Sequence, residues 1–166
     1  MEFLNFLTHI PKFVKVFFVS MLPIIELRGA IPYGALIGER LDFFTCYFSS
    51  VIGNLLPIPF ILLFIKKILE YMSKSKVSLF NKVANKLILK AESRSEKMNK
   101  GTFYGLFIFV AIPLPGTGAW TGALIAALMG MRFKRSMLAI SVGVIVAGLI
   151  MALGSYGIVT AFKIFA

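Results

Sequence analysis

Between Gly101 and Met131 the chain runs for 31 residues without a charge, and the middle of that run reads PLPGTGAW, two prolines and two glycines within residues 113–120. As one straight helix the run would measure roughly 46 Å, against a bilayer hydrocarbon core of about 30 Å. Its flanks are both basic, Lys100 on one side and Arg132, Lys134 and Arg135 on the other. A single crossing would therefore carry one basic group outside, against the positive-inside rule. A re-entrant hairpin removes both conflicts. Half-helices over Thr102–Ile112 and Thr121–Met131 would each reach roughly 16 Å deep, with PLPGTGAW as the turn and both ends cytoplasmic.

The remaining apolar runs lie at about 13–38, 41–65 and 136–162, in a chain that is 58% hydrophobic and only 15% charged. A soluble domain is nearer half apolar and a quarter charged, so the whole of 1–166 reads as a single all-α integral membrane domain. At about 20 residues per crossing, 166 residues hold few spans. Any pathway has to be built by those few helices or by a homo-oligomer. Residues 66–100 carry ten basic side chains against three acidic ones, which holds this segment in the cytoplasm and makes Leu41–Ile65 an ordinary span. The expected location is the cytoplasmic membrane, crossed more than once. MEFLNFLTHIPK lacks the layout of a cleaved signal peptide, so the first segment is expected to be retained.

The run 13–38 repeats the organisation of 101–131, with Lys12 and Lys15 at its start and PIIELRGAIP in its middle. It reads as a second re-entrant hairpin, entering from outside. The string GALI occurs at 34–37 and again at 122–125. Two repeats follow, 1–65 and 101–166, each a hairpin plus a span, inverted about an axis in the membrane plane. Between them, Phe80, Val83, Ala84, Leu87, Ile88 and Ala91 fall at helical spacing beside a stripe of Lys82, Lys86, Lys90 and Arg94. That segment, 66–100, is expected to lie as an amphipathic helix on the cytoplasmic leaflet, its stripe facing anionic lipid or simply water. In the last run, Ala139, Gly143 and Ala147 stand four apart, as in close helix packing.

Glu26 and Arg28 are the only charges in the interior of an apolar run, and an intramembrane charge costs roughly 2.5–3.5 kcal/mol on insertion scales. Either the two form an ion pair that pins the hairpin, or they are functional. In function Arg28 holds an anionic group such as a phosphate, and Glu26 orients it or exchanges a proton. Gly29 and Pro32 belong to the same turn. Pro57 and Pro59 free backbone carbonyls beside Asn54, a candidate polar lining residue. In the second hairpin Pro113 and Pro115 end the incoming half-helix and Gly116 and Gly118 allow close backbone. The free N–H groups ahead of Trp120 make an anion-binding end that would face Glu26 and Arg28. One cysteine, Cys46, and one histidine, His9, leave neither a disulfide nor a metal cluster to build. No cofactor, nucleic-acid site or nucleophile–base pair is legible.

ELRGAIPYG followed by PLPGTGAWTG resembles the small multidrug export family of bacteria and archaea, which groups with the DedA superfamily. The resemblance implies two opposed re-entrant hairpins with spanning helices. It matches Glu26 to the acidic position of the first hairpin, Arg28 to its basic partner, and Pro115–Gly116 to the turn of the second. Many members of the superfamily place an arginine beside that second turn, whereas positions 114–122 here carry no charge. The implied function is a transporter or scramblase of an anionic amphipathic substrate, a phospholipid or polyprenyl-phosphate carrier, with protons as a candidate coupling ion. The alternatives are proton-coupled export of small drugs or cations, and a non-transporting membrane assembly protein.

Overall fold

The computed structural model describes residues 10–36, 41–74, 100–114 and 116–165, and all regular structure in them is helical. In chain order the helices are α1 (Lys12–Met21), α2 (Glu26–Leu36), α3 (Phe43–Leu55), α4 (Ile58–Ser73), α5 (Lys100–Ala111), α6 (Ala119–Leu128) and α7 (Phe133–Phe165). They fall into two compact units, Met1–Leu56 with Val144–Ala166, and Pro57–Gly143. The basic amphipathic stripe at Lys82, Lys86, Lys90 and Arg94 lies outside the described residues.

Two stretches are long and apolar enough to cross a membrane, Phe43–Ile65 and Phe133–Ala161. They coincide with the spans expected at 41–65 and 136–162. Ahead of each stands a pair of short helices, α1–α2 and α5–α6. These helices have 10 to 12 residues, about 15–18 Å, or half a bilayer core.

In the first unit, α1 ends where Pro23 forces the residue before it into extended backbone. Leu22 has ψ 131°, and its N–H closes the helix on the carbonyl of Val19. The link to α2 is therefore Leu22–Ile25, and Glu26, Arg28, Gly29 and Pro32 belong to α2. This corrects the expectation that they form the turn. Pro32 is accommodated inside α2, where its missing N–H leaves the carbonyl of Arg28 without its helical donor. Leu27, Ala30, Ile31 and Gly34 form the buried face of α2, which packs against α1 and α3. The thiol of Cys46 donates to the carbonyl of Ile31 at 3.6 Å. Cys46 thus fills space between α2 and α3, as expected of a lone buried thiol. Farther along, Gly53 lets α3 approach α1 at backbone contact, since a Cβ there would strike the Phe17 carbonyl and Ser20 Oγ. From α7, the Tyr156 hydroxyl reaches the carbonyl of Leu41 at 2.7 Å and that of Tyr47 donates to the carbonyl of Ile145 at 3.0 Å.

Helix α3 starts on a cap, the Asp42 carboxylate accepting from the N–H of Thr45 at 2.8 Å. That bond holds the Asp42 carboxyl below its ordinary pKa. Because the folded-state pKa is the lower one, the cap stabilises fully above the ordinary carboxylate range and is lost as pH falls through the depressed value. Asp42→Ala is accordingly expected to lower the Tm at neutral pH, with the gap to wild type narrowing at pH below about 4, measured by thermal unfolding in detergent.

In the second unit, α6 packs on α4 and α5 through a face of small residues, Gly122, Ala123, Ala126 and Ala127. Val110 of α5 lies against both Gly122 and Gly143 of α7, where added Cβ atoms would sit 2.7 Å and 2.8 Å from it. Gly143 thus plays the packing role that its spacing with Ala139 predicts. Helix α6 ends at Leu128, earlier than the Met131 expected, because Gly130 adopts φ 68° and closes a C-terminal motif. The Met131 N–H reaches the carbonyl of Ala126 at 2.9 Å and the Gly130 N–H that of Ala127 at 3.1 Å.

Candidate functional site

The PLPGTGAW stretch, residues 113–120, begins two residues after the end of α5 at Ala111 and reaches into the first turn of α6. Thr117 fastens the connection, its Oγ1 lying 2.9 Å from the carbonyls of both Ile112 and Leu114. The Leu114 N–H turns back to Ile112 across Pro113 at 2.9 Å. Gly116 at φ 80° is exposed, and Gly118 at φ 138° is buried and opens α6. A side chain would be strained at Gly118, and no side-chain cap occupies the helix start that follows. The predicted break is therefore real, and Trp120 sits half-buried in the first turn of α6. Pro115 lies outside the described residues.

The charged part of the site belongs to the first unit. Glu26 opens α2, is 4% exposed, and takes φ 50°, which makes it the one non-glycine residue with positive φ among the described residues. The left-handed region costs a residue with a Cβ about 1–2 kcal/mol. Burial adds the desolvation of an ionisable carboxyl. Its backbone N–H bonds to the carbonyl of Leu22 at 2.9 Å, so the strained conformation is built into the end of the Leu22–Ile25 link. Arg28 is half-buried and interacts electrostatically with Glu26. Gly29 faces Ile25, with no room for a Cβ beside that side chain.

Asn54 is a further buried polar residue of this unit. It is 1% exposed on the face of α3 that carries Cys46, Ser50 and Gly53. Ser20 and Ser50 are also fully buried. Neither serine stands out in the sequence, where each reads as one small residue in an apolar run; helical spacing from Val16 and from Cys46 is the signal that could have found them. The left-handed backbone of Glu26 has no sequence signal at all. Glu26, Arg28, Gly29, Pro32 and Asn54 lie in one unit, and Pro113, Gly116, Gly118 and Trp120 in the other. Among the described residues no group of three or more His, Cys, Asp and Glu side chains comes together as metal ligands.

Two apolar helical stretches of spanning length, each preceded by a pair of short helices, point to a helical membrane protein. It belongs to the family described as "Putative small multi-drug export protein", which it matches over residues 26–150. The match begins at Glu26 and contains Asn54 and the whole PLPGTGAW connection. Among curated proteins and solved structures, none matches the chain.

Proposed function

We propose that the chain is a transporter, not an enzyme, of the cytoplasmic membrane, exporting a small cationic amphipathic compound in exchange for protons. Glu26 is the group that holds substrate and proton in turn. One observation carries this reading, the ionisable side chain at Glu26 that is both buried and in left-handed backbone. Glycine or asparagine would occupy that backbone at lower cost. Strain and buried charge of this kind collect where a mechanism uses them. The family's description as small multi-drug export agrees with it.

Helices of half-membrane length fit this role as re-entrant hairpins, α1–α2 from outside and α5–α6 from the cytoplasm, arranged as inverted repeats. In such folds irregular backbone at membrane depth lines a substrate cavity. Arg28 sets the resting state by balancing the Glu26 charge until substrate or proton replaces it. The test is reconstitution in liposomes, following a cationic amphipathic dye under an imposed pH gradient. Dye movement that needs the gradient and needs Glu26 supports the reading; movement indifferent to both refutes it.

A second reading, transport or scrambling of an anionic phospholipid or polyprenyl-phosphate, draws on the half-buried Arg28, whose planar fork of donors suits a phosphate. The same liposomes loaded with a fluorescent anionic lipid separate the two. Dependence on Arg28 with indifference to the pH gradient favours the lipid.

A further inference from the structure

In the first unit, α1 and α3 border a groove of about 660 Å³ lined by five phenylalanines, Phe13, Phe17 and Phe18 from α1 and Phe44 and Phe48 from α3. Helical spacing accounts for the grouping. Residues 13, 14, 17 and 18 share one face of α1, and residues 45, 48, 49 and 52 share one face of α3. Lys12 and Lys15 fall on other faces of α1 and are not among the lining residues. Phe13, Phe18, Phe44 and Phe48 are between 47% and 68% exposed, so the groove is open along its length.

The rings are arranged to receive a flat ligand. Phe18 meets Phe17, Phe44 meets Phe43 and Phe48 meets Tyr47 edge to face, with centroids 5.3–5.4 Å apart. The parallel-stacked pairs among the described residues, Phe43 with Tyr47 and Phe60 with Phe64, are not pairs of lining residues. The groove therefore keeps ring surface that no parallel stacking has taken up. Aromatic faces carry negative potential and attract cations, most strongly where water is excluded. The volume suits a drug-sized molecule, whose sites run from about 300 to 1,000 Å³.

The polar lining residues, Thr45 and Ser49, both belong to α3. One turn before Thr45 stands Asp42, exposed at the start of the helix. Its carboxylate is held ionised by hydrogen bonds from the first turn of α3, and no cationic side chain is among the groups that act on it. A negative charge thus lies beside the Phe44–Thr45 end of an aromatic groove. An anionic headgroup is repelled there. An acyl chain, which any apolar surface would serve, uses neither the ring faces nor the carboxylate, whereas a flat aromatic cation uses both.

We propose that the groove between α1 and α3 binds the exported compound by a planar aromatic body, with the positive charge directed to Asp42. The proposal rests on the reading that the chain exports cationic amphipaths. It adds a binding place separate from Glu26, which is not among the lining residues, and it narrows the substrate to planar aromatic cations in preference to alkyl ammonium ions.

The experiment is equilibrium binding of ethidium to the purified full chain in a nonionic detergent, read by fluorescence anisotropy, with dodecyltrimethylammonium and phosphatidylglycerol as competitors. Saturable binding is expected, with Kd raised about tenfold in Phe44→Ala/Phe48→Ala and about threefold at low salt in Asp42→Asn. Both rings are more than half exposed, so their removal spares the core, and asparagine keeps the helix cap while removing the charge. Equal ethidium binding by the wild type and the double phenylalanine variant overturns the groove. Displacement of ethidium by phosphatidylglycerol, with no effect of Asp42→Asn, makes it a lipid-chain site and also overturns the proposal, as does competition by dodecyltrimethylammonium at the concentration of ethidium itself. Glu26→Gln is expected to keep ethidium binding. If the groove variants bind normally while dye movement still needs Glu26 and the pH gradient, the groove fails and the export reading stands; groove-dependent binding without any gradient-driven movement overturns the export reading instead.

Discussion

Glu26→Gln is expected to reduce dye export driven by a pH gradient to the level of empty liposomes, while the protein stays folded with an equal or higher Tm. Glutamine keeps the shape and hydrogen-bonding capacity of the protonated acid but carries no charge to desolvate and no proton to exchange. Glu26→Gly extends the comparison. It relieves a left-handed residue with a Cβ and should gain about 1 kcal/mol of stability while also losing export. A carboxyl kept for structure alone would behave in the opposite way, with both variants destabilised. Arg28→Gln leaves Glu26 without the charge that acts on it and is expected to lower Tm, and adding Glu26→Gln should restore it. The coupling recovered from that cycle is expected in the range of about 0.5–3 kcal/mol, as for interacting neighbours generally.

The largest effect on stability is expected at Gly53. A Cβ there overlaps the carbonyl of Phe17 and the hydroxyl of Ser20. Ser20 could turn aside, although its hydroxyl already donates to that same Phe17 carbonyl at 2.7 Å. The carbonyl is helical backbone and can yield only if α1 moves away from α3. Gly53→Ala is therefore expected to cost about 1–3 kcal/mol, and Gly53→Leu to prevent folding, read as loss of the monodisperse peak and of the cooperative melt. Combining Ser20→Ala with Gly53→Ala should recover little, since the carbonyl remains. Gly105→Ala is the matched control: it lies within α5, and nothing stands within 4 Å of an added Cβ. There the substitution should stabilise by about 0.5–1 kcal/mol through helix propensity alone.

What the sequence makes legible follows from which forces act locally. The two spans are visible because length and apolarity are additive along a run, and the break at PLPGTGAW because proline and glycine act on their own backbone. Helix ends are harder. Gly130 ends α6 through bonds back to Ala126 and Ala127, a geometry that the glycine permits but does not demand. The first link falls before Glu26 and not around it because Pro23 stops α1 while Pro32 is absorbed inside α2; proline is the same signal in both places, and the packing of α2 against its neighbours decides. Glu26 and Arg28 are conspicuous as charges in an apolar run, yet the strain at Glu26 is a property of the folded link. The amide of Asn54, which has no hydrogen-bond partner among the described residues, likewise depends on what the fold places around it, and the bonds from Tyr156 to Leu41 and from Tyr47 to Ile145 join residues far apart in the chain.

The central claim is that the short helix pairs dip into the membrane and return, which sets the Glu26 charge at depth. Sided thiol labelling tests it most directly. In a Cys46→Ser background, single cysteines at Glu39, Lys100 and Arg132 are treated in intact cells with a membrane-impermeant maleimide, before and after permeabilisation. The account predicts that Glu39→Cys is labelled from outside and that Lys100→Cys and Arg132→Cys are both labelled only after permeabilisation. Labelling of Arg132→Cys in intact cells would mean that α5 and α6 together cross the membrane, and would contradict it.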